Sequence, residues 1–311
     1  SKDAGLIILP VELIEQNGQK LKEIVFKHAT RWELEEDFKT WLDDACVFTS
    51  TLVDRIVSGY PKDDIEAFEE RLGYKDQLLT VAEPFGLWVI ETSDPRVQKA
   101  FPLDEIGLPI VYTEDQTPYR ERKVRILNGA HTSSVLAAYL AGLSNVKELM
   151  DDPDFGAFLR QTVLEEIVPT VPLPEEEARA FALDVFERFE NPFVDHKLIS
   201  ISLNSVSKWK ARILPSLKDS LEMTGALPKR LVFSLAALLA FYQTDDINDD
   251  DEIMAWFKAH RNDDDYVAKA IRQRSFWGED LSTIPGFEEL IQAQFQTIQD
   301  QGIRAAVQAI G

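Results

Sequence analysis

The sequence predicts a mainly helical protein: a multi-helical domain over residues 116–311, preceded over residues 1–115 by the last part of an α/β domain. Three observations predict this division. Short runs of β-branched and aromatic residues between Gly and Pro are confined to the first third. From Thr117 onward apolar residues recur at helical spacing. No internal repeat or low-complexity segment interrupts either part.

Taken in order, Gly5 to Leu9 reads as a short, fully buried strand, and Pro10 breaks it. Helices are expected at about Glu12 to Ala29 and Leu34 to Ala45. Strand-like segments follow at Cys46 to Val57, Leu78 to Glu91 and Leu108 to Thr113. Thr117-Pro118 predicts a helix start, with a capping hydroxyl and proline at the first position, and Gly142 predicts the stop. Further helices are expected at Pro153 to Val168, Pro174 to Phe189, His196 to Thr224, Lys229 to Tyr242, Asp251 to His260, Tyr266 to Arg274 and Gly286 to Gln301. The acidic clusters Asp245 to Glu252 and Asp263 to Asp265 read as solvated helix starts, since a calcium loop would need a glycine and a terminal glutamate in register.

Composition narrows the function. A net charge of −21 leaves no basic face for nucleic acid or an anionic membrane. One cysteine, Cys46, rules out an internal disulfide framework and suits a reducing, cytoplasmic setting. The most apolar run, Leu231 to Tyr242, falls short of the ~20 residues a membrane span needs. The four histidines lie far apart in sequence, and no metal-ligand spacing is present.

The helix KVRILNGAHTSSVLAAYLAG (123–142) carries polar residues into an apolar face. At ~100° per residue, Asn128 and His131 lie about 60° apart and Lys123 about 80° from His131, so the three share an arc of about 140°. A lysine, an amide and an imidazole on one face suit carbonyl chemistry, which needs a proton donor and dipoles for the developing alkoxide. Lysine is a weak acid at its usual pKa of ~10.4. Arg120, Arg122 and Arg125 surround Lys123 in sequence and are expected to lower it. Gly129 costs ~1 kcal/mol inside a helix, which asks for a close approach by a ligand or another backbone.

Lysine, four residues, asparagine, two residues, histidine resembles the signature of the polyol-specific long-chain dehydrogenases, the mannitol dehydrogenase family. The resemblance implies Lys123 as general acid/base, Asn128 in the oxyanion hole and His131 as the residue orienting substrate. LPVELIEQNG (9–18) resembles the family's strand-to-helix junction, and FTSTLVDRIVSGYP (48–61) its segment near the nicotinamide. These nominate Glu12, Asn17 and Asp54 on the cofactor side. Glu12-Leu13 replaces the Asp-Asn of many mannitol-type members. RFENPFVDHKLISISLNSVSKWKARILPSL (188–217) is similar to the hexuronate-reducing members, where a substrate carboxylate needs fixed cations. Lys208, Lys210 and Arg212, with His196 beside them, are the candidates.

The resemblance further implies a Rossmann-type domain, a helical domain like the C-terminal domain of 6-phosphogluconate dehydrogenase, and NAD(H) as cofactor. The implied activity is metal-independent reduction of D-tagaturonate to D-altronate in hexuronate catabolism. Fructuronate, or mannitol and fructose, are alternative substrates, and a non-catalytic helical binding module is the alternative of another class. No G-x-G-x-x-G occurs in the 311 residues, so the N-terminal portion of the nucleotide domain, with most of the NAD surface, is expected to be absent.

Overall fold

The computed structural model describes residues 4–310, and the chain divides into two compact units, Ser1–Arg120 and Glu121–Gly311.

In the first unit the strands are β1 (Ile7–Ile8), β2 (Val47–Phe48), β3 (Ser50–Asp54), β4 (Val57–Gly59), β5 (Val81–Ala82), β6 (Leu87–Glu91) and β7 (Ile110–Thr113). β1 pairs parallel with β2, Ile7 opposite Val47. The crossover between them holds the helices Asn17–Arg31 and Glu36–Asp44, which pack Ala29 and Leu42 against Cys46, Ile8 and Phe48. The first helix starts later than expected, because Glu12 to Gln16 form an exposed turn that ends with Gln16 in the left-handed region. β6 sits between β3, antiparallel, and β7, parallel, with Val89 and Ile90 wholly buried. β4 and β5 form a separate two-stranded ribbon.

Asn17-Gly18 locks the first helix onto this frame. The Asn17 amide donates to the carbonyls of Pro10, Glu12 and Thr51 at 3.1–3.2 Å and accepts from the Thr51 N–H at 2.9 Å. A Cβ on Gly18 would stand 1.9 Å from the Thr49 carbonyl oxygen, so only glycine permits this approach of helix to strand.

The helix that begins at Thr117 is capped by the Asp115 carboxylate, which accepts from the Thr117 N–H at 2.8 Å, rather than by the Thr117 hydroxyl. It runs as α-helix Thr117–Arg122, widens to a π-helical turn Lys123–Asn128, and returns to α-helix Gly129–Leu140, ending at Gly142 with φ 88°. Residues 129–138 are all buried, and this rod is the centre of the second unit. The helices Lys229–Phe241 and Phe287–Gln301 pack beside it. Glu166 caps the former from outside, accepting from the N–H groups of Arg230 and Leu231.

Three expected helices are interrupted. His196 to Thr224 is three pieces, Leu198–Ile201, Ser205–Arg212 and Leu214–Thr224. Asn204 takes the left-handed conformation at the first break, and Pro215 opens the last piece. Pro153 to Val168 is α-helix to Gln161, then π-helical over Thr162–Ile167. Tyr266 to Arg274 likewise stops at Ile271 before a short turn of helix at Arg274–Trp277.

Candidate active site

The π turn changes how the polar face is assembled. On a regular α-helix Lys123 and Asn128 would lie about 140° apart. Bonds from i to i+5 bring residues five apart into line, and these two residues bound the turn. His131, three residues beyond Asn128, follows on the same face of the α-helical part. Sequence periodicity assumes 3.6 residues per turn throughout, and the wide turn changes the angle between Lys123 and Asn128.

The neighbouring arginines are paired. Arg120 pairs with Glu15, Arg122 lies 3.4 Å from Glu177, and Arg125 pairs with Glu121 and Asp219. Gly129 is explained by packing. A Cβ there would meet Ile167 Cδ1 at 3.3 Å and the Arg212 carbonyl oxygen at 3.7 Å.

His131 is 5% exposed. Its ring stacks on Phe189 (4.2 Å between centroids, 14° between planes) and meets the edge of His196 at 5.2 Å. Burial holds its pKa well below the usual imidazole value, and the charges of His196, Arg212, Arg188 and Lys208 add to this. His131 is therefore neutral near pH 7. His196 is also lowered, chiefly by burial. Among the described residues, His131 Nε2 and His196 Nδ1 are both buried without a hydrogen-bond partner.

Lys208 and Arg212 project from one face of the helix Ser205–Arg212, at i and i+4. Lys208 Nζ donates to the Ile201 carbonyl at 2.9 Å, and Arg212 donates to Thr132 Oγ1 at 3.2 Å, whose hydroxyl donates to the Asn128 carbonyl at 2.8 Å. Burial, then Arg212, pushes Lys208 down to about 8, and burial pushes Arg212 down to about 10. Among the described residues neither has a carboxylate within 4.0 Å. Two desolvated cations without counter-ions, beside neutral imidazoles with unused nitrogens, make a place for a hydroxylated anion.

Lys210 does not belong to it. Two residues from Lys208 on a helix, it is exposed on the opposite side, with Nζ 3.1 Å from where a Gly278 Cβ would be. Arg188, buried on the helix Glu175–Phe189, bears on His131 and was not a candidate. Its sequence signal was its place at the head of the stretch that carries Lys208, together with an apolar face that a lone arginine interrupts.

In the first unit, Asp54 ends β3 at 2% exposure. Glu12 is exposed, and its carbonyl, not its carboxylate, is what Asn17 binds. Asn17 itself is committed to holding the loop and strand together. Among the described residues no group of three or more His, Cys, Asp or Glu could hold a metal ion, and no helix is long and apolar enough to cross a membrane.

Comparison with known proteins adds to this geometry. Residues 1–102 match the mannitol dehydrogenase Rossmann domain and residues 115–299 the mannitol dehydrogenase C-terminal domain. Altronate oxidoreductases are similar over nearly the whole chain: that of Yersinia enterocolitica is 43% identical over 99% of this chain and 66% of its own length. The Phocaeicola vulgatus protein is 43% identical over 99% and 67%, and the Escherichia coli protein 41% over 100% and 67%. The chain therefore spans about two-thirds of the curated relatives it matches. In fold it is similar to Pseudomonas fluorescens mannitol 2-dehydrogenase, solved as a ternary complex with NAD and D-mannitol (TM-score 0.76, 22% identity, 95% of this chain and 60% of that one). It is equally similar to a substrate-free D-sorbitol dehydrogenase (0.77, 20%, 94% and 60%).

Proposed function

Because the chain belongs to the mannitol dehydrogenase family, we propose that it is the greater part of an NAD-dependent sugar-acid dehydrogenase interconverting D-altronate and D-tagaturonate. The observation that carries the substrate class is the pair of half-buried cations Lys208 and Arg212 beside His131, without a carboxylate within 4.0 Å among the described residues. A neutral polyol gains little from such a pair, whereas a uronate carboxylate is held by it. The similarity to altronate oxidoreductases supports the same choice.

The residues present fit NAD. Nucleotides bind at the carboxyl ends of parallel strands, and the turn leaving β1 exposes Val11, Leu13 and Ile14, an apolar surface of the kind a nicotinamide ring covers. When bound, NAD accepts a hydride from the carbinol carbon or returns it to the ketone.

The chain's own part is binding and proton transfer. In oxidation the neutral Lys123 amine takes the hydroxyl proton as the hydride leaves the same carbon. In reduction the Lys123 ammonium gives that proton to the oxygen as hydride arrives, so charge and protons balance in both directions. The Asn128 amide donates to the oxygen that carries the developing charge. His131 Nε2, which has no hydrogen-bond partner among the described residues, orients a neighbouring hydroxyl, and His196 borders it. Lys208 and Arg212 fix the far carboxylate, which sets the reacting carbon relative to Lys123.

The test is NADH oxidation by the full-length enzyme with D-tagaturonate, D-fructuronate and D-fructose side by side. Turnover favouring tagaturonate supports the reading. Preference for fructose would return the site to polyols, and no turnover of any would leave a non-catalytic helical module.

A further inference from the structure

The acidic run Asp245 to Asp251 is not a uniformly solvated helix start. Asp245 pairs with Arg261 and Asp246 accepts from the Tyr139 hydroxyl, both at the surface. Asp249 is 6% exposed. Its Oδ2 accepts from the Tyr242 hydroxyl and, at 3.2 Å, from the Val206 N–H, while Oδ1 accepts from the Asp250 N–H at 2.8 Å. The next residue back, Asn248, accepts from the Asn204 N–H through its carbonyl at 2.9 Å. Tyr242 is 1% exposed, packed on Phe257 at 4.5 Å, and burial together with Asp249 pushes its phenol far above the usual range. It is therefore always the donor to Asp249.

Val206 is the second residue of the helix Ser205–Arg212, the helix that carries Lys208 and Arg212. A buried carboxylate is costly unless its oxygens are satisfied. Both oxygens of Asp249 accept from donors here, which the single amide oxygen of an asparagine could not do. A carboxylate at a helix N-terminus satisfies an orphan N–H and the positive end of the dipole together. No residue of the helix supplies that cap itself, since Asn204 makes no side-chain capping bond.

We propose that Asp249 is a positioning residue for substrate: through Val206 and Tyr242 it holds the helix Ser205–Arg212 at the rotation that presents Lys208 and Arg212 to His131. This rests on the reading of those two cations as the carboxylate site. Asp249 is not an ion-pair partner of Lys208, lying beyond 4.0 Å, yet its charge favours the ammonium while burial and Arg212 oppose it. The titratable and charged groups around Lys208 are Asp249, Arg212, His131 and His196. Loss of the Asp249 charge leaves only groups that disfavour the cation.

The experiment is steady-state kinetics of full-length Asp249→Asn and Asp249→Glu enzymes at saturating NADH across pH 6–10. For Asp249→Asn the KM for D-tagaturonate should rise about tenfold, the size of one lost charge-assisted contact, with kcat and the KM for NADH close to wild type. The pH at which KM begins to climb should move lower, and Asp249→Glu should restore that pH in part. An unchanged KM and pH profile in Asp249→Asn would overturn the proposal. So would a parallel loss of kcat, both KM values and thermal stability with no change in the pH profile. If Asp249→Asn does not fold, Tyr242→Phe decides: a raised hexuronate KM at unchanged kcat supports the clamp, and a wild-type KM sinks it. A failure of the underlying reading looks different, because wild-type enzyme would then show no preference for hexuronates over D-fructose.

Discussion

Lys208 is kept charged in a place where burial works against the charge, and both halves of that conflict can be measured. With a folded pKa of about 8 against the ordinary 10.5, the unfolded chain binds more protons between those values, so this residue makes stability rise as pH rises through the window. Substrate binding has the opposite sign: the KM for a hexuronate should climb above about pH 8 as the ammonium is lost, while that for D-fructose stays flat. Lys208→Met should accordingly raise the thermal midpoint, by roughly 2–4 °C per kcal/mol gained, and raise the hexuronate KM. Lys123→Ala should lower kcat by about 10²–10⁴, the usual worth of a placed acid/base, with substrate still bound; single-turnover kinetics separates the two. Lys123, Asn128 and His131 stand out in the sequence because three polar residues at fixed spacing break an apolar helix face. Lys210 could have been excluded by the same arithmetic, since two residues along a helix reverse the face. Arg188 had its signal in the apolar face it interrupts; Asp249 was not legible, because a charged residue in an acidic run carries no mark of what folds over it.

At the scale of the element, glycine separates two kinds of contact. Gly18→Ala would drive a methyl group against the Thr49 backbone and should destabilise the first unit by about 2–3 kcal/mol, as seen in denaturant unfolding. Gly129→Ala meets the tip of the Ile167 side chain, which can shift, and gains ~1 kcal/mol of helix propensity, so its net effect should stay within about 1 kcal/mol. Helix positions were readable from apolar period, but a six-residue π turn is too short to alter that period visibly. The breaks at Asn204 and Pro215 had local signals, and the amphipathic pattern running through them concealed both.

For the whole molecule the division into an α/β part and a helical part came from strand-like runs in the first third and helical spacing after Thr117. Strand order β3-β6-β7, with one antiparallel and one parallel pairing, joins segments distant in sequence and had no local signal. On the proposed function, the net charge of −21 would repel an anionic hexuronate at long range, while contacts with the half-buried Lys208 and Arg212 would be screened less. Raising ionic strength from ~10 to ~150 mM should therefore improve kcat/KM for a hexuronate at saturating NADH and leave D-fructose unaffected. The π turn adds a last consequence, in the order in which the molecule opens. Residues 129–138 are all buried, yet Lys123, the proposed acid/base, stands on the wide turn of the same rod. Amide hydrogen exchange should find 123–128 releasing its protons well before 129–138, so that the proton-transferring group is mounted where the central helix breathes.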